Sequence, residues 1–228
     1  MQKRALITLA AFIIMLALLV FSAAGGNYAL SGFLFIILSI VPFYASFERR
    51  RPQARELVPI AVLAAVAAIG RVIFALLPNF KPTSAVVIVA GLAFGPEAGF
   101  MTGATAALAS NAFFGQGPFT PWQMFAWGMM GFAAGLLSKR GLHRYMPLIL
   151  LFGFVSGFLF GWIMDAYQVL AFVRPIGVKS ILLTVAASFY FDLTHAVSNV
   201  IFLLCIEKPW LRLLDRAKKK YGLMEIKP

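Results

Sequence analysis

From residue 28 to residue 47 the chain carries no charged side chain, and comparable apolar runs recur as far as residue 206. A bilayer core of about 30 Å takes roughly 20 apolar residues in helical form, so runs of this length read as membrane spans. The rest of the composition agrees. Charged residues make up 12% of the chain, about half the share of a soluble domain, and mean hydropathy is +0.89. The expected fold class is an all-α integral membrane protein with no room for a soluble domain. The single Cys205 lies in an apolar run, which excludes a disulfide framework or a cysteine metal site within one chain.

Eight spans are expected, near 1–21, 28–47, 57–77, 84–94, 97–114, 121–137, 145–172 and 180–206. Ser22-Ala23-Ala24 before Gly25 looks like a cleavage site, but the preceding apolar run exceeds the roughly 7–15 residues of a signal h-region. A retained span is therefore expected. Proline excludes helix for itself and for the residue before it, so Pro78 and Pro82 bound a loop, and Gly95-Pro96 breaks a run in two. Charge placement tests the count. With the N-terminus inside, sixteen Lys and Arg fall on inner segments and three (Lys81, Arg174, Lys179) on outer loops, with Arg71 the remaining one of twenty. That asymmetry is how membrane proteins set orientation. It puts both termini in the cytoplasm, in a multi-pass plasma-membrane protein of bacterial type. It also absorbs the net charge of +12, leaving no basic stripe for nucleic acid.

Ionisable and amide side chains inside a membrane are expensive and mark functional candidates. Here they gather on the expected outer side: Arg71, Asn111, Gln116, Gln123, Asp165, Asp192 and His195. Asp192, His195 and Asn199 fall at i, i+3 and i+7, on one helix face. Arg71 is open to snorkelling its guanidinium to the interface or to pairing with Asp165 or Asp192. Phe80, Phe113, Phe114, Phe119, Trp122, Phe125 and Trp127 crowd the same side, enough ring surface to clasp a large, flat, partly polar ligand. Glu97 falls on the opposite turn and is not a candidate. Ala61, Ala64, Ala65 and Ala68 form overlapping small-xxx-small pairs, which let another helix approach closely. Gly131 with Gly135, and Gly153 with Gly157 and Gly161, repeat the spacing.

No G-x-x-x-x-G-K-[ST] or H-E-x-x-H occurs, and His143 and His195 fall on opposite sides of the expected membrane. ATP hydrolysis by this chain, a multi-histidine zinc site and an enzymatic role are not expected.

Three features carry a family resemblance: the alanine-rich helix after residue 57, the phrase AGLAFGPEAGFMTGATAALASN (90–111) and QMFAWGMMGFAAGLL (123–137). Over 57–206 the chain resembles the substrate-binding S component of energy-coupling factor (ECF) vitamin transporters. The resemblance implies a six-helix substrate-binding core at 57–206. Two extra helices at 1–47 precede it, outside the family's usual unit, and a basic tail follows at 207–228. It also implies a transmembrane coupling subunit (EcfT-type) and two ABC ATPases as partners, with Ala61, Ala64, Ala65 and Ala68 facing the coupling subunit. The loop 79–83, with Asn79 and Phe80, would close over the substrate. Among substrate types the chain is most similar to cobalamin-specific S components, so the expected ligand is cobalamin and no cofactor is implied. Another vitamin or precursor (queuosine, riboflavin), or a stand-alone secondary transporter, is the alternative.

Overall fold

The computed structural model describes residues 27–49 and 53–223, with Ile13, Ile14, Ala17 and Leu18 before them. Most of the first expected span, 1–21, lies outside these residues. Every described element is helical: α1 (Tyr28–Arg49), α2 (Ala54–Ile73), α3 (Thr83–Phe94), α4 (Pro96–Phe114), α5 (Thr120–Lys139), a short 3-10 turn (Leu142–Arg144), α6 (Met146–Phe172) and α7 (Val178–Tyr221). Four of these, α1, α2, α6 and α7, are long and apolar enough to cross a membrane. The chain is thus a multi-pass helical membrane protein; the expectation of eight spans reaches beyond what these helices carry.

Local chemistry sets the ends. The Asn27 side chain accepts from the Leu30 N–H at 3.1 Å, satisfying an amide that α1 cannot. The Gln53 N–H donates to Glu56 Oε2 at 3.1 Å, capping α2. Helix α2 stops at Ile73 rather than at residue 77. Ala75 and Leu77 instead donate to Val72 and Phe74, three residues back, because Pro78 withholds helical geometry from Leu77.

Helix α3 is the axis of the bundle. Its 12 residues are all buried, and at 1.5 Å per residue it reaches only about 18 Å, so neighbouring helices rather than lipid surround it. Three chains of backbone meet there. A Cβ on Gly131 of α5 would strike the Gly99 carbonyl of α4, and one on Gly91 of α3 would strike the Gly131 carbonyl. Small residues admit this approach, which gives close packing in a setting without a hydrophobic drive. Gly131→Ala is expected to lower the unfolding temperature in detergent by roughly 10 °C, since backbone cannot shift aside cheaply. Gly177→Ala, whose methyl would meet nothing within 4 Å, is expected to change it by less than about 2 °C. The row Gly153, Gly157 and Gly161 does the same between α6 and α7, against Leu203, Ala196 and Asp192.

The alanine face of α2 divides. Ala64 and Ala68 are buried in the bundle, whereas Ala61 and Ala65 are exposed. The expectation that all four face a partner is corrected for Ala64 and Ala68, because α2 turns both inward: Ala64 joins the apolar cluster containing Val86, Val87 and Ala90 of α3, and Ala68 is buried as well.

Two further features concern packing outside the 57–206 core. Helix α1 is packed as part of the bundle: Phe43 stacks on Phe100 of α4 with ring centroids 4.1 Å apart, and meets Phe132 of α5 edge-on. At the far end, α7 runs 44 residues without a break at 206, about 66 Å. The segment beyond 206 packs against the bundle. Trp210, Leu211, Leu214 and Leu223 join the cluster around Phe94 and Ala98. Lys218 Nζ donates to the Ala93 carbonyl at 3.3 Å and Ser138 Oγ to that of Leu92 at 2.7 Å. Last-turn carbonyls have no partner within their own helix, so these side chains close the end of α3.

Candidate functional site

The polar side chains collect toward the end of the bundle bearing the loop 74–82, in three groups. The first surrounds Arg71, in the last turn of α2. Its Nη1 donates to Ser110 Oγ at 2.7 Å and to Asn111 Oδ1 at 2.6 Å. The guanidinium lies over the Phe114 ring at 4.7 Å and that of Trp127 at 5.1 Å, an arrangement in which ring faces attract the cation. Asn111 passes the network on, its Nδ2 donating to Thr120 Oγ1 at 3.0 Å and Gln123 Oε1 at 2.9 Å. Thr120 Oγ1 donates to Gln116 Oε1, and Gln116 Nε2 to the Leu108 carbonyl. Gln116 is exposed and fastens the turn between α4 and α5.

The second group is buried behind the first and shares Trp127 with it. Trp127 Nε1 donates to Ser84 Oγ at 3.0 Å, and that oxygen lies 2.7 Å from His195 Nε2. The His195 ring meets Phe160 edge-on at 4.9 Å. One helical turn away on α7 is the third group, where Ser188 Oγ lies 2.8 Å from Asp165 Oδ2 and 3.1 Å from Asp192 Oδ2. The structure does not take up the ion pair that was open to Arg71. Its hydrogen-bond partners are Ser110 and Asn111, and the two acids share a serine across the α6–α7 contact.

Asp192, His195 and Asn199 are all buried, on one inward face as their spacing requires. They do different work along it: Asn199 Nδ2 donates to the Gly153 carbonyl at 2.9 Å and so holds α6 to α7. Trp122 is buried too but stands apart from the polar groups. It sits 6.1 Å from the Tyr167 ring and lines a cavity between α1, α5 and α6.

The loop covers the first two groups. Asn79 takes positive φ (53°), which asparagine tolerates better than most residues, and its Nδ2 reaches the Phe191 carbonyl at 3.2 Å. Phe80 packs against Phe74 and Phe202. Ser198 Oγ accepts from the Lys81 N–H at 2.8 Å and donates to the Lys81 carbonyl at 3.0 Å. The Lys81 ammonium lies 5.3 Å from the Phe114 ring. Burial, and then the Arg71 charge, hold its pKa below the ordinary lysine value.

The sequence reading missed hydroxyls that bridge the site: Ser84 lies between Trp127 and His195, Thr120 between Asn111 and Gln116, and Ser188 between Asp165 and Asp192, while Ser110 accepts from Arg71. A serine in an apolar helix gives little signal, because it usually bonds its own backbone, as Ser39 does with Phe35. Inward register would have marked Ser84 and Ser188, but register became visible only with the bundle.

A helical membrane bundle that gathers cation, amides, acids and rings at one end, under a loop pinned to the opposite helix, has the build of a substrate-binding membrane component. The family model for the ECF-type riboflavin transporter, S component, matches residues 52–214, and the chain belongs to that family. Members are the substrate-binding components of transporters, not enzymes, and work with a coupling subunit and ATPases. No solved structure matches the chain.

Proposed function

We propose that this protein captures a vitamin from outside the cell at its loop end and delivers it through a coupling subunit powered by two ATPases. Both termini are cytoplasmic in this reading. The supporting observation is the Arg71 group: a cation over two rings, beside two amides, beneath a loop held by side-chain contacts that a ligand can replace. Arg71, Asn111, Gln123 and Trp127 are the first contacts, with His195 and Ser84 behind them and Asn79 and Phe80 on the loop. The closely spaced rings and hydrogen-bonding edges favour a flat heteroaromatic vitamin of the riboflavin type, in keeping with the family description.

Cobalamin is the second reading, favoured by the number of rings at the loop end and by the acids Asp165 and Asp192 further along the same face. Calorimetric titration of the detergent-solubilised protein with riboflavin, cobalamin and queuosine separates the readings. The expected result is one ligand bound at nanomolar to micromolar Kd without ATP. Silence toward all three would sink the vitamin reading, and uptake into vesicles lacking any ATPase would replace it with a secondary transporter.

A further inference from the structure

A second, differently built site lies between α1 and the core. The cavity there has a volume of about 650 Å³ and is walled almost wholly by apolar groups of α1, α5 and α6, within the range of small-molecule sites. Its walls follow the helix axes, from Trp122 to Ala133 on α5, about 16 Å at 1.5 Å per residue. The space is therefore long as well as apolar.

Two polar features occur at one end, in sequence along α1. Ser31 lines the cavity, is 5% exposed, and its Oγ has no hydrogen-bond partner among the described residues. A buried hydroxyl in that state costs free energy unless something in the cavity bonds it. Tyr28 stands one turn nearer the helix start, about 4.5 Å along the axis. Its ring lies 5.2 Å from the Arg174 guanidinium. Arg174 caps α6 through the Val169, Leu170 and Val173 carbonyls. It is itself exposed, so the cation stands at the rim rather than inside.

A cation at the rim, an unpaired hydroxyl about one turn deeper and a long apolar space below match one chemical pattern: an anionic phosphate, an ester carbonyl and an acyl chain. We propose that the cavity between α1, α5 and α6 holds an anionic glycerophospholipid, its phosphate on Arg174, an ester carbonyl on Ser31 and an acyl chain in the cavity, joining α1 to the core. The bound lipid fills a space that would otherwise leave its walls without packing partners.

The test uses the full chain purified in mild detergent and washed extensively, then examined by native mass spectrometry and by lipid extraction. About one glycerophospholipid per chain is expected, enriched in anionic headgroups over the source membrane. In nanodiscs containing phosphatidylglycerol and phosphatidylcholine, Arg174→Gln should reduce the preference for the anionic lipid roughly tenfold, the scale of one charge-assisted hydrogen bond. Ala166→Phe, which fills the cavity from an exposed position on α6, should abolish retention while leaving the gel-filtration profile and vitamin titration unchanged. Ser31→Ala is a milder variant that should weaken retention without changing cavity shape. The proposal is overturned if no stoichiometric lipid survives washing, if detergent alone occupies the space, or if Ala166→Phe retains the lipid. It is equally overturned if the bound molecule is the vitamin. Because the vitamin is titrated in the same preparation, failure of this site and failure of the transport reading give different results.

Discussion

Arg71→Met is expected to weaken substrate binding by roughly 100-fold or more while the protein still elutes as a folded species in detergent. The side chain now donates two short hydrogen bonds, to Ser110 and Asn111, and lies over two rings. Hydrogen bonds to a charged group contribute about 1.5–3 kcal/mol each. Transferring two of them to a ligand and then deleting the donor removes about 3 kcal/mol or more, which is two decades in Kd. The structural cost is smaller, because Asn111 keeps Thr120 and Gln123 through its Nδ2 and loses only the bond to its carbonyl. Arg71→Lys supplies the charge without the planar fork and is expected to recover only part of the affinity. A purely structural arginine would give the reverse pattern, with a lowered unfolding temperature and unchanged affinity. Titration and thermal unfolding of the same samples decide between them.

That prediction rests on a residue legible in the sequence and on partners that were not. An arginine inside an apolar helix is conspicuous because its cost has to be offset. What offsets it is set by helix rotation and depth, quantities a one-dimensional pattern leaves open. The acids Asp165 and Asp192 were the obvious counter-charges, yet the bundle brings Arg71 to an amide and a hydroxyl on α4. The breaks at Pro78 and at Gly95-Pro96 were legible for a different reason: proline and a positive φ of 92° at Gly95 act locally. The continuation of α7 through residue 206 was hidden because its second part, with Arg212, Arg216 and three consecutive lysines, has the composition of a tail. Its leucines Leu211 and Leu214 nevertheless pack on the apolar cluster at the end of α3, a contact that depends on where the bundle places that end and not on the local pattern.

The alanine face of α2 shows the same limit and yields the second large effect. Overlapping small-xxx-small pairs predict close approach but not by which partner, and α2 buries one pair and exposes the other. Ala64 and Ala68 meet the bundle; Ala61 and Ala65 point away, among the exposed side chains Val58, Val62, Val66 and Ile69. That outward strip is apolar and small at its centre, and it is where a coupling subunit of the kind this family uses can approach closely. Ala65→Trp is expected to abolish co-purification with the coupling subunit while leaving the vitamin Kd within about twofold, since the added ring projects from the bundle and touches no polar group of the site. Ala64→Trp serves as the contrasting case. At 1% exposure the ring has no space, and overpacking of the core is expected to lower the unfolding temperature by roughly 10 °C. Assembly that survives Ala65→Trp would move the docking surface off this face of α2. Loss of ligand binding along with assembly would mean that the strip supports the bundle itself.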